Sequence, residues 1–378
     1  MNLVQRVREG QLARYLGEEV VQSIFQSSVG TKVPIAIGGT PYFAVDGAIV
    51  AAPRDLQRGS SLQELGRGYE PTAESQLWRP GTRGPLPPMR GGAGFASLSD
   101  LISEATTGGK RQDVHFAKVG PTKTVGRGSE LFFQGNFPVP TTAGTGSGGA
   151  TGTGRILTSA SVGAMRQADA TGGDQLHIVS AVVNGSQGTN LLLVYDRLWD
   201  MAHVLTVDPR SCDAANVPTR YQAAGTSPGS FLSGGVAVVL PAASNTATFD
   251  YVDNAGGAST SPAVAMLTGA VVGTIVLTTP NWFVPLASGD VGIRALSNSA
   301  TAVDLSAAYA SGEVNWFIGH PLMMIPIPSA NMPVIIDGIN SAFNLARVFD
   351  GACLAIMELP TGTTTATTYW GQIILVSG

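Results

Sequence analysis

NLLLVYDRLWDMAHVLTV, residues 190–207, is the stretch whose reading decides the fold. Residues 191–194 are aliphatic throughout, and Tyr195, Asp196, Arg197, Trp199 and Asp200 follow at once. That order predicts a strand that begins buried and emerges at a sheet edge. In a strand Tyr195, Arg197 and Trp199 alternate onto one face. Aromatic and arginine side chains so placed are expected as interface anchors, with core packing of Trp199 as the other reading.

On the C-terminal side the sequence continues as short apolar runs divided by turn clusters. Runs at 204–207, 236–240, 247–252, 264–267, 271–277, 291–295, 313–318, 322–327, 354–358 and 370–376 read as strands, and 177–183 reads as one upstream. NGSQG, DNAGG and PTGTTT between them supply Gly, Asn and Asp for turns. No long helical pattern alternates with these strands, which argues against a parallel sheet and for an antiparallel β-sandwich or jelly roll. Residues 246–261, TATFDYVDNAGGASTS, form the best hairpin, with Asp250 and Asp253 as hairpin-end residues and the turn on 254–257.

On the N-terminal side the pattern changes. Residues 141–154, TTAGTGSGGATGTG, hold only Gly, Ser, Thr and Ala and read as a linker or long surface loop. The chain therefore divides into an N-terminal region, 1–140, the linker 141–154, and a β domain, 155–378. Within the first, residues 3–28 carry Leu12, Leu16, Val20 and Ile24 at helical spacing, an apolar stripe for its own domain or for a neighbouring subunit. Segments 33–37 and 42–52 read as paired strands. Residues 53–94, rich in Pro, Gly and Arg, read as an extended arm. A short helix is expected at 97–106, capped by Ser97 or Ser99, and the basic stretch 110–130 reads as a solvated loop.

Charge bounds the function. Only 13% of the 378 residues are charged, about half the usual share, while 44% are hydrophobic. A free monomer so composed has few groups to solvate its surface, which points to a protein covered by copies of itself or by partners. The net charge of −4 gives no nucleic-acid footprint. The N-terminus lacks the pattern of a secretory signal, and the longest apolar run, 261–279, is broken by Pro262, Gly269 and Gly273, so neither secretion nor a membrane helix is expected. Cys212 and Cys353 read as buried thiols, with a disulfide left open.

Chemistry finds little support. The one Gly-x-Ser-x-Gly match, 225–229, places Pro228 after the serine, where an oxyanion hole needs an N–H, and reads as a plain loop. His115, His177, His203 and His320 show no metal-ligand spacing, and the glycine-rich pieces lack the phosphate-loop pattern. No catalytic, cofactor or metal residue is assigned, and the protein is expected not to be an enzyme.

LLLVYDRLWD at 191–200, followed by the YVDNAGGAST hairpin at 251–260, resembles structural proteins of tailed bacteriophages. The resemblance covers residues 155–378. It implies a virion component assembled in the host cytoplasm: a capsid decoration or cement protein that binds the major capsid protein or other virion proteins and bridges neighbouring subunits. It also implies a homo-oligomer, a trimer in form. A tail, neck or fibre component with a receptor- or glycan-binding β domain is the alternative.

Overall fold

The computed structural model describes residues 32–37, 40–45 and 48–51, and residues 95–378 except 96, 107–108, 123–125, 135–136, 139–153, 213–216, 222–228, 279–281, 339–344 and 361–364. The expected helix at 3–28, with Leu12, Leu16, Val20 and Ile24, and the expected arm at 53–94 lie outside the described residues. So does nearly all of the expected linker. The chain divides into two compact units, Met1–Arg90 and Gly91–Gly378.

In the first unit β1 (Lys32–Ile37), β2 (Thr40–Val45) and β3 (Ala48–Ala51) form an antiparallel three-stranded sheet. Val45 pairs with Ala48 at the end of the β2–β3 ladder.

The second unit is built on antiparallel sheets. It opens with α1 (Leu98–Thr106), where the Ser97 hydroxyl accepts the Asp100 N–H at 3.1 Å, as an N-cap should. Next come β4 (Arg111–Val119), β5 (Ser129–Glu130), β6 (Arg155–Ile156), β7 (Leu176–Gly185) and β8 (Asn190–Val204). Then follow β9 (Phe231–Val238), β10 (Thr246–Asp253), β11 (Ala258–Thr260), β12 (Val264–Ala265), β13 (Ile293–Leu296) and β14 (Val303–Leu305). The chain closes with β15 (Glu313–Ile327), β16 (Val334–Asp337), β17 (Arg347–Val348), β18 (Leu354–Pro360) and β19 (Thr368–Ser377).

One sheet runs β5-β18-β8-β15-β9, with β6 also on β8; the facing sheet runs β16-β7-β19-β4, with β17 also on β7. A smaller sheet is gathered around β10. Leu192, Val194, Ile325 and Ile327 of the first sheet and Phe116, Ile178, Tyr369 and Ile373 of the second belong to one continuous core. Tyr369 reaches across the sandwich and donates its hydroxyl to the buried Glu358 carboxylate. The molecule is mainly β, as its alternating apolar pattern requires.

Three expectations are corrected by this topology. First, β8 does not emerge at an edge: it lies between β18 and β15, and every residue from 192 to 203 is buried. Its charged residues are tolerated inside because each has an ionic partner. Second, the runs 313–318 and 322–327 are one fifteen-residue strand, β15, roughly 50 Å long at the usual rise per residue. Gly319 and Pro321, which look like a break, sit at two register shifts against β8. A Cβ at Gly319 would lie 2.7 Å from both the Phe231 and Tyr195 rings, so the bend needs glycine.

Third, the division at 141–154 is not where the compact units part. The basic stretch expected as a loop forms β4 and β5, and these pair with β19 and β18 from the far end of the chain. Residues 155–378 therefore lack two strands of their own sandwich, and the boundary lies at Arg90/Gly91. The hairpin at 246–261 is found in place, Asp250 opposite Thr260, with Gly256 at φ 95° in its turn and the Asp253 carboxylate accepting the Gly257 N–H.

Candidate functional site

Polar residues of β8 build a wholly buried cluster. Arg197 is fully buried and donates to the Tyr195 hydroxyl at 3.1 Å and to Asp200 at 3.4 Å, with Glu130 of β5 also 3.4 Å away. The Tyr195 hydroxyl donates to Glu130 at 2.7 Å, and the Phe132 N–H reaches the same oxygen at 3.0 Å. Phe132, Phe133 and Phe317 surround the guanidinium at 4.7, 5.1 and 4.0 Å from their ring centroids. Asp200 is also held by Arg155 of β6 at 2.7 and 3.1 Å. Burial pushes the Glu130 carboxyl up, against the pull of Arg197; burial opposes the Arg197 charge, and the Glu130 carboxylate overcomes it and holds the proton on.

A second cluster lies one residue away, on the other face of β8. The Asp196 carboxylate takes a bidentate pair from Arg220 at 2.6 and 2.8 Å and the Cys353 N–H at 2.8 Å. Tyr221 stacks on His320 with 3.8 Å between ring centroids and 10° between planes. His320 Nδ1 lies 3.1 Å from the Ser230 hydroxyl. Burial depresses His320 to about 4 and lifts the Cys353 thiol well above its ordinary value. A serine and a histidine in contact are two parts of a nucleophilic site, but Nε2 of His320 has no partner among the described residues to orient it as a base. Cys212 and Cys353 are both buried. Among the described residues no three His, Cys, Asp or Glu side chains converge as a metal site.

Both clusters work as internal ties. The expectation that Tyr195 and Arg197 anchor an interface is corrected, since both are buried within the chain, and Trp199 takes the other reading, core packing. Trp199 is covered by β6, and a Cβ at Gly154 would fall 1.9 Å from its indole nitrogen. The cause is topological, since strands flank β8 on both sides and cover its end as well as its middle.

The surface presents a different candidate on the outer face of the β16-β7-β19-β4 sheet. Along β19 the side chains alternate, with Tyr369, Ile373 and Leu375 in the core and Trp370 and Gln372 turned outward. Cross-strand register assembles the rows. Asn184, Trp370 and Ala117 are partners, and Phe137 bridges to Ala117 beyond. In the next row Ile335, Val182, Gln372 and His115 are partners, and in the next Asp337, Ser180, Ile374 and Asp113. Phe137 is 54% exposed, Trp370 39% and Ile335 70%, so the apolar members are uncovered. Phe137 and Trp370, with His115, Asn184 and Gln372 beside them, line an open groove of about 570 Å³.

Sequence reasoning missed this face because Trp370, Phe137 and His115 are far apart in the chain and meet only through strand pairing. The alternation of Tyr369, Trp370, Gly371 and Gln372 was the one local signal, since it sets Trp370 opposite the core residues.

No protein-family model matches the chain, and no curated protein matches it. Among solved structures it is similar to a chain of the infectious bursal disease virus Gx strain, at 11% identity over 71% of this chain and 81% of that one, with a TM-score of 0.15. It is also similar to the infectious bursal disease virus VP2 subviral particle, at 11% identity over 71% of this chain and 81% of that one, with a TM-score of 0.14. Both neighbours are viral capsid proteins.

Proposed function

We propose that this protein is a structural component of a virus particle, of the tailed-bacteriophage kind, that binds the head shell and bridges neighbouring subunits. The observation that supports this reading is apolar surface left uncovered at separate places on the second unit. Leu98 and Ile102 are exposed on α1, and Val238 and Val239 are exposed where β9 ends, close to the exposed Val271. With only 13% of its residues charged, the chain has few groups to solvate such patches. A subunit with several neighbours covers such patches at once, and many weak contacts sum through effective concentration. The partners on this reading are the major shell protein and further copies of the chain, the place of action is the virion, and the role is mechanical rather than catalytic.

Quantitative mass spectrometry of purified particles tests it. Near-stoichiometric amounts relative to the major shell protein are expected. A small fraction of that amount would assign the protein to a neck, tail or fibre, and its absence from particles would end the virion reading.

A further inference from the structure

We propose that the groove on the outer face of the β16-β7-β19-β4 sheet binds a neutral oligosaccharide, with Trp370 and Phe137 as stacking platforms and Gln372, His115 and Asn184 as hydrogen-bonding groups. This goes beyond the structural role above and stands whether or not the chain belongs to a particle.

The geometry carries the inference. Trp370 and Phe137 occupy one row on either side of β4, separated by the small side chain of Ala117. Two inter-strand spacings put the platforms ~10 Å apart, a distance that an extended sugar chain can span. The C–H faces of a pyranose ring are apolar and pack on aromatic faces, while its hydroxyls need planar donors and acceptors at the ring edge. Gln372 and His115, neighbours in the adjoining row, supply both. Neither side chain has a hydrogen-bond partner among the described residues, and Asn184 spends only its carbonyl oxygen, on the Gly185 N–H at 2.8 Å. Amide and imidazole groups in the floor disfavour a purely apolar ligand, which would leave them unpaired.

Charge selects the class of sugar. The three rows carry Asp113 and Asp337 and no lysine or arginine. The nearest cation along β4, Arg111, is paired with Asp113 at 2.9 Å. Lys118 of the same strand is buried on the opposite side. In these three rows an anionic glycan or a nucleic-acid phosphate would meet no lysine or arginine.

The test is calorimetric titration of the full chain with cellohexaose, maltohexaose, laminarihexaose and chitohexaose, with an oligogalacturonate as anionic control. Saturable binding of at least one neutral probe is expected, weakened on the order of tenfold by Trp370→Ala and again by Gln372→Ala. The Gln372 variant keeps the test decisive should the Trp370 variant misfold, and an unchanged melting temperature shows that each variant is intact. Failure of every neutral probe overturns the proposal, as does binding that survives both substitutions or binding of the oligogalacturonate alone. Loss of self-association in Trp370→Ala, with no sugar bound by the parent protein, would instead make the groove a contact between copies. The particle copy number is untouched by any of these outcomes, so this proposal and the virion reading fail separately.

Discussion

The guanidinium of Arg197 lies 4.0 Å above the ring centroid of Phe317, and neither residue is exposed. A fully buried cation is held by β8 itself, by β5 through Glu130 and by β15 through the ring beneath it. Three strands from distant parts of the chain are thereby fastened at one point.

Arg197→Ala should therefore destabilise the protein by about 3–5 kcal/mol, because it strands Glu130 without its cation. Asp200 keeps Arg155 in that variant. Urea denaturation measures the loss. Replacing Arg197 and Glu130 together by Met and Leu should recover much of it, and a double variant as unstable as the single one would show that the pair is not the cause.

His320 makes stability depend on acid pH. Its folded value, about 4, lies below the ordinary 6.5, so between them the unfolded chain holds a proton that the folded chain does not. Stability is full above 6.5 and falls as pH drops toward 4, by up to about 1.4 kcal/mol per pH unit for each such histidine. His177 and His203 are depressed in the same sense by burial. His320→Gln should flatten the slope without abolishing it. Denaturation midpoints across this window, unchanged by the substitution, would contradict the assignment.

Lys118 acts at the alkaline end. It is buried on β4, donates to the carbonyls of Pro138 and Gly163 at 3.3 and 3.4 Å, and burial lowers it to about 8, against the attraction of Glu130. The unfolded chain keeps this proton up to 10.5, so stability should rise with pH from about 8 until the tyrosines begin to titrate. Lys118→Met should remove that rise. A rise of equal size in the variant would place its origin elsewhere.

Two tryptophans should separate core from surface. Trp199→Ala, at a fully enclosed site, should cost about 3–5 kcal/mol, whereas Trp370→Ala, on the open sheet face, should cost about 1 kcal/mol or less. Thermal melts of the two variants measure the contrast, and equal losses would mean that Trp370 is part of the packed core.

By itself the sequence determined the class of the fold and several of its local parts. Alternation and turn residues are short-range properties, so the β10–β11 hairpin, the Ser97 cap and the identity of β7, β18 and β19 as strands could be read directly. Strand pairing is long-range, and no local pattern reports it. Only the tertiary structure decided that β8 is central rather than an edge strand, which turned Tyr195 and Arg197 from surface groups into buried ties and settled Trp199 in the core. The same pairing brought β4 and β5 into the sandwich of the C-terminal strands and set Trp370, Gln372, His115 and Phe137 on one face. A side chain's direction follows from its place in a strand, but what lies in front of it follows from which strands come to either side.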